Sequence, residues 1–257
     1  MDRRLFPADR VDLLLDCETI DGAWALHVQQ MAEYGFDRLL YAATRFRTHG
    51  LIGDPADLMI LSNHHPDVVN GLFGDQHLYL DVPRNDWTGL DAAAFSWRKL
   101  SEFVTRNDLT DREQAVRDLY GRHGLWAGYS IRFQSANTRL LGGIGLAAPR
   151  DVSHDDVDEI WKTHGPAILR LNKIFHLKAQ SLPLAKQGRD ILTRRQRQIL
   201  ELVADGNSTP DICATLNLST ATVQKHMRLA REALGVCTTT QAAVKAAALN
   251  QLFVMER

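Results

Sequence analysis

From Leu192 to Leu252 apolar residues recur three and four positions apart, and small polar residues punctuate the runs. Leu192, Ile199, Leu200 and Val203 share one helical face, which Gly206-Asn207 ends. Ile212, Ala214 and Leu216 mark a second helix stopped at Asn217. Ser219 is a good N-cap for a third, whose Val223, Met227, Ala230 and Leu234 keep helical spacing, and Thr240 opens a fourth over Gln241–Leu252. Two short helices joined by the tight turn Leu216-Asn217-Leu218-Ser219 predict a helix-turn-helix, its second helix offered to the DNA major groove.

The preceding stretch alternates period. Arg10–Ile20 and Asp21–Tyr34 read as helices, with Gly35 as the stop. Asp37–Phe46 reads as a strand, Asp57–Asn63 as a weaker one, and Pro66–Phe73 as a short helix. Leu78–Pro83 and Trp87–Trp97 read as loop or poorly defined helix. Thr110–His123 is helical, with Asp111 and Glu113 favouring the N-terminal dipole. Tyr129–Gln134 and Arg139–Ala148 predict a hairpin around Ser135-Ala136-Asn137. A long helix follows from Asp155 to Leu177, and Pro166 inside it is expected to break or kink it. The fold class is therefore α+β: an N-terminal α-β-α sandwich around an antiparallel sheet, then an all-α four-helix helix-turn-helix domain. The boundaries are 1–177 for a ligand-sensing and dimerisation domain, 178–189 for a linker lacking periodicity, and 190–257 for the DNA-binding domain.

Charge sharpens this division. The chain of 257 residues carries a formal −1, but from Gly188 onward nine Lys and Arg stand against six Asp and Glu. The remainder is correspondingly acidic. In the third helix Gln224, Lys225, His226, Arg228 and Arg231 surround the outward face, and at roughly 18 Å that helix can lie in the ~12 Å major groove. A solvated basic face on an ordinary bundle has the same composition. No apolar run approaches the ~20 residues that span a bilayer, and the acid-studded N-terminus is unlike a signal peptide. Cys17, Cys213 and Cys237 are odd in number and lack metal-ligand spacing, which fits a reducing cytoplasm.

Candidate chemistry is sparse. Gly142, Gly143 and Gly145 match neither phosphate-loop spacing and suit close packing in a strand. His64, His65 and Asp67 invite a metal or acid–base reading, but a polar loop ahead of a helix explains them. No Ser or Cys sits in a nucleophile elbow. No catalytic residue, no metal and no cofactor is expected. A phosphorylated receiver domain needs acids at the end of its first parallel strand, where this chain has Thr44-Arg45.

The C-terminal run resembles the DNA-binding domain of LuxR-type transcription regulators. Leu192-Thr193, Arg195, Gly206, Ile212, Leu216, Ser219, Thr222-Val223, His226 and Leu234-Gly235 stand where that family has its motif. Gln196 replaces a usual Glu, and Ala233 a usual Lys. The resemblance implies double-stranded, pseudo-palindromic DNA as a partner and a homodimer to read it. It places Gln224 and Arg228 at base-reading positions, with Thr222 and Lys225 nearer the phosphates.

A weaker resemblance reaches the first domain. Quorum-sensing members carry Tyr-Pro-x-x-Trp-x-x-x-Tyr, then Asp-Pro, then a later Trp, around an acyl-homoserine lactone. Here His65-Pro66-x-x-Val69-x-x-x-Phe73 is followed by Val82-Pro83 and Trp97, and Gly128 resembles the Gly opening the next strand. The resemblance implies a small-molecule effector near Val69, Phe73 and Trp97, with the lactone-binding polar groups partly replaced. Asp81 stays a candidate because a one-residue slip turns it inward. Tyr41, Trp126 and Tyr129 are further candidates for an apolar lining, as are Trp24 and Phe95. Weak or absent response to ordinary lactones follows, with a regulator that is ligand-independent or partner-controlled as the alternative.

Overall fold

The computed structural model describes residues 7–45, 58–82, 94–98, 105–133, 135, 137, 140–183, 185–186 and 189–254. The chain forms two compact units, Met1–Ala179 and Gln180–Arg257. The ends of the first strand at Phe46 and the second at Asp57, and the loop from Pro83 through Trp87, lie outside the described residues.

In the first unit α1 (Pro7–Leu15) and α2 (Ile20–Ala32) stand where helices were expected over Arg10–Ile20 and Asp21–Tyr34, the first ending five residues earlier. The break falls before Thr19, whose hydroxyl accepts the Gly22 N–H and caps α2. The sheet contains β1 (Arg38–Thr44), β2 (Leu58–Ser62), β3 (Ala94–Ser96), β4 (Gly128–Phe133) and β5 (Leu141–Ala147). Its order is β2-β1-β5-β4-β3, antiparallel throughout. β3 lies in a stretch expected as loop or poorly defined helix; three residues are too few to display alternation. Helices α3 (Pro66–Phe73), α4 (Asp111–His123) and α5 (His154–Ser181) complete the unit, with a 3-10 turn at Leu78–Leu80.

Register decides which side chains share a face, because directly paired residues point the same way. Tyr41 pairs with Ile144, and Ile144 with Ile131. Phe133 and Gly142 join that row's face, which packs against α2 and α5: the Tyr41 ring meets Phe175 at 5.2 Å. Leu40, Gly145, Ser130 and Phe95 form the neighbouring row, on the opposite face. There Leu40 and Ala147 join Val68 and Leu72 of α3 and Val116 and Leu119 of α4 in one apolar cluster. The result is an α-β-α sandwich.

α5 runs unbroken through Pro166 and one turn past Leu177, against the expected break and linker start. The missing N–H removes one ladder bond only, while buried Val157, Ile168, Leu171 and Phe175 hold the flanking turns. Its end is tied down where Arg45 donates to the Ala179 carbonyl and Lys178 Nζ to the Leu15 carbonyl at 2.6 Å.

In the second unit a two-residue ladder, β6 (Ala185–Lys186) with β7 (Arg189–Asp190), occupies what was read as linker. α6 (Arg194–Ala204), α7 (Thr209–Leu216), α8 (Thr220–Leu234) and α9 (Thr239–Ala248) follow. Ile199, Ile212, Val223 and Met227 form their shared core. Gln196, the departure from the usual Glu, closes a capping box: its Oε1 accepts the Thr193 N–H at 2.8 Å. An amide supplies the same acceptor as a carboxylate there, so α6 keeps its start.

Candidate ligand-binding face and nucleic-acid interface

On the α3/α4 side of the sheet, Trp97 lies over strands that carry glycine. A Cβ on Gly145 would sit 3.2 Å from the indole Cζ2; one on Gly128 would sit 2.7 Å from Cε3 and 2.2 Å from the Leu146 carbonyl oxygen. The ring occupies volume that side chains would otherwise fill. Its Nε1–H donates to Ser130 Oγ at 2.8 Å, and its backbone N–H to the Gly128 carbonyl at 2.9 Å.

The segment around Trp97 is anchored to α5 through Asp158. That carboxylate accepts Ser96 Oγ at 3.0 Å, Tyr129 OH at 2.9 Å and Arg98 Nη2 at 2.6 Å. Burial pushes the Asp158 pKa up, but the bonds from Arg98, Tyr129 and Ser96 outweigh it and hold the group ionised. Tyr129 in turn is pushed up to about 12, first by burial and then by that carboxylate.

The expected lining residues divide. Phe73 stacks on Tyr79 with centroids 5.2 Å apart, and both pack with Trp97 and Val82 around the apolar cluster. Val69 is half-buried on α3. Trp126 lies against α4, where a Cβ on Gly121 would come 3.3 Å from its ring. Asp81 is not turned toward the cluster: it is paired with Arg112 at 2.7 Å, and Arg112 also donates to the Gln76 carbonyl. Tyr41 and Tyr129 point through the face of the sheet opposite Trp97. Trp24 is on that side too, against Phe175. The alternation of the strands is the reason: odd and even positions face different layers. Ser130, which satisfies the indole N–H, was missed; its position two residues after Gly128 was the available signal.

The α2/α5 side is dense and internally bonded. His27 is fully buried, stacks on Phe175 at 4.4 Å and donates from Nε2 to Asn172 Oδ1 at 3.0 Å. Asn172 spends its own N–H on the Ile168 carbonyl at 2.8 Å, which fixes the amide and hence the His27 tautomer. Tyr41 OH and His176 Nδ1 share a hydrogen bond at 2.9 Å, and the His176 ring stacks on Phe133 at 4.1 Å. Burial lowers both histidines to about 4, so both are neutral near pH 7.

In the second unit, α8 turns Val223, Met227, Ala230 and Leu234 inward, and Gln224, Lys225 and Arg228 outward. The latter three line an open groove with Ala221, Met227 and Arg231. Ser219 caps the helix by accepting the Thr222 N–H at 3.2 Å, and the Thr222 hydroxyl lies 2.8 Å from Ser219 Oγ. Arg228 pairs with Glu232 one turn on, both about half exposed, a contact that surface screening makes easy to exchange. Asn217, at φ 50°, closes α7 and sets the turn into α8.

Comparison with known proteins matches residues 19–179 to the autoinducer binding domain and residues 190–246 to the bacterial regulatory proteins of the luxR family. The chain is 28% identical over 172 residues to the quorum-sensing regulator RhlR of Pseudomonas aeruginosa, covering 64% of this chain and 68% of that protein. It is 33% identical over 66 residues to the spore germination protein GerE of Bacillus subtilis, covering 26% of this chain and 89% of that one. Among solved structures, the N-acylhomoserine lactone-dependent LuxR family transcription factor CepR2 of Burkholderia cenocepacia is similar in fold. Its TM-score is 0.50 at 18% identity, over 67% of this chain and 93% of that one.

Proposed function

The chain belongs to the LuxR-type transcription regulators with an autoinducer-binding domain, and on that premise we propose that a small, largely apolar effector bound beside Trp97 controls DNA reading by α8. The protein is a regulator with a helix-turn-helix DNA-binding domain, as its relatives are, and not an enzyme. The observation that carries the DNA assignment is the polarity of α8, whose apolar face is buried while Gln224, Lys225 and Arg228 stand exposed along one groove. In our reading Arg228 and Gln224 contact base edges, and Lys225 and Thr222 the phosphates.

Anisotropy titrations on an operator selected from random duplexes test this. Arg228→Ala should weaken operator binding by roughly 1–3 kcal/mol and relax base preference, while Lys225→Ala weakens all sequences alike and lowers the salt slope by about one. Unchanged affinity and preference in Arg228→Ala removes the assignment. A two-fold operator requires a homodimer, which light scattering at micromolar concentration checks. We place the protein in the cytoplasm, where Cys17, Cys213 and Cys237 stay reduced. No helix among the described residues is long and apolar enough to cross a membrane.

A second reading, control by a partner rather than a ligand, is favoured by one feature: the polar groups near the face are satisfied within the protein. The Trp97 N–H is held by Ser130, and Asp81 by Arg112. An ordinary acyl-homoserine lactone would find its amide N–H facing Val82 rather than a carboxylate, at a cost of about 1–3 kcal/mol. Calorimetric titration with lactones of short, medium and long chain should give weak binding. Submicromolar binding lost in Asp81→Ala overturns that expectation.

A further inference from the structure

We propose that His65, Asp67 and His123 form a binding site for a divalent transition-metal ion, Zn²⁺ foremost, that clips the start of α3 to the end of α4. One ligand atom from each residue lies within 4.8 Å of those of the other two. His65 Nδ1 and Asp67 Oδ2 are 3.4 Å apart, and the His65 and His123 rings lie 5.5 Å apart, inclined by 25°. Donors meeting one tetrahedral ion at ~2.1 Å are separated by about 3.4 Å. The first pair already has that spacing, and His123, with its ligand atom within 4.8 Å of theirs, has to turn its ring to close on the same ion.

The backbone holds these donors in place. His65 is the N-cap of α3, Pro66 fixes the first helical position, and Asp67 stands in the first turn. His123 is the last residue of α4, ahead of Gly124 at φ 61°. The two helices are packed closely: a Cβ on Gly71 would come 2.8 Å from the Leu119 side chain, and Val68, Leu72, Val116 and Leu119 share one core. Arg38 Nη1 donates to the His123 carbonyl at 2.6 Å, pinning the end of α4 further, and Asp37 at 3.2 Å offsets its charge.

Two imidazoles and one carboxylate suit zinc, nickel, cobalt or copper, whereas calcium and magnesium prefer all-oxygen sets. Three protein ligands leave a position for water, and His65 and Asp67 are more than half exposed, so entry is open. The ordinary role of His65, accepting the Asp67 N–H, is a long bond at 3.3 Å, and little is lost when a metal takes that lone pair. The ion would lock together the two helices that cover the Trp97 face of the sheet.

The test uses untagged full-length protein stripped with chelator, then titrated with Zn²⁺ by calorimetry and with Co²⁺ by visible absorption. The expected result is one equivalent bound in the micromolar range, with a rise in melting temperature. His123→Ala and Asp67→Asn should each weaken binding at least tenfold, the scale set by losing even an outer partner of a metal site. His77→Ala should leave it unchanged, and metal-free melting of each variant should match the parent. Equal titration of the parent and His123→Ala, or no saturable binding below millimolar Zn²⁺, overturns the proposal.

Discussion

Toward α2 and α5 the central strands present Tyr41, Ile131, Phe133 and Ile144, whereas toward α3 and α4 the same strands present Leu40, Gly128, Ser130, Gly143, Gly145 and Ala147. The first face is filled by bulky rings tied by buried hydrogen bonds, Tyr41 with His176 and His27 Nε2 with Asn172. On the second, glycine leaves room that one ring, Trp97, takes up. A single sheet thus separates permanence from adaptability by the two-residue alternation of its strands. The comparison teaches that aromatic residues in a sensing domain are not interchangeable candidates, because Tyr41, Tyr129 and Trp24 belong to the permanent side.

The largest effect is expected on that permanent side. Phe175→Ala removes a fully buried ring that contacts Trp24, His27 and Tyr41, and should cost about 3–5 kcal/mol in chemical denaturation. A loss below about 1 kcal/mol would mean the α2/α5 layer is as yielding as its counterpart.

Acid sharpens the same contrast. His27 has a folded value of about 4 against 6.5 in the unfolded chain, so the unfolded state takes up its proton first. Its stabilisation is complete above about pH 6.5 and falls as pH drops toward 4, by roughly 3 kcal/mol over that window. His176 titrates in the same direction. The carboxylates held low, Asp158 and Asp211 among them, lose their contribution only below that window. Denaturation curves at successive pH values should show this slope, reduced but not abolished in His27→Gln; an unchanged slope in that variant would exclude His27 as a source.

On the adaptable side effects shrink. Ser130→Ala strands the Trp97 indole N–H and should cost about 1 kcal/mol while shifting tryptophan emission. An unaltered spectrum and melting curve would show that the ring has no fixed seat. Asp81→Ala breaks a partly exposed pair with Arg112 and should cost ~0–1 kcal/mol, with effector affinity untouched. A change in affinity would bring Asp81 back to the ligand face.

The DNA-binding unit was legible because its signals are local. Ser219 caps, Gly235 stops at φ 64°, and the apolar period between them is met by burial of Val223, Met227, Ala230 and Leu234. Most first-domain elements were readable for the same reason. Face assignment was not, since alternation says that Tyr41 and Leu40 point apart without saying which layer each meets; that needs the pairing of β1 with β5. Asp81 was kept as a candidate by a possible slip, and the structure gives it Arg112, a partner from a different helix. Pro166 read as a breaker because its propensity is local, while the packing that overrides it is not. His65 and Asp67 were visible as neighbours, but His123 joins them only through the packing of α3 on α4.

The glycines of β4 and β5 also differ in how freely they can drift over generations. At Gly145 a new methyl group meets only the side chain of Trp97, so alanine there is a one-base step that presses on the indole and not on the backbone. At Gly128 the same step collides with a main-chain oxygen, and at Gly142 with the packed His176 ring. Position 145 is therefore the open route by which a lineage can reshape the Trp97 face, and 128 is a closed one; 142 is closed too, but on the α2/α5 face.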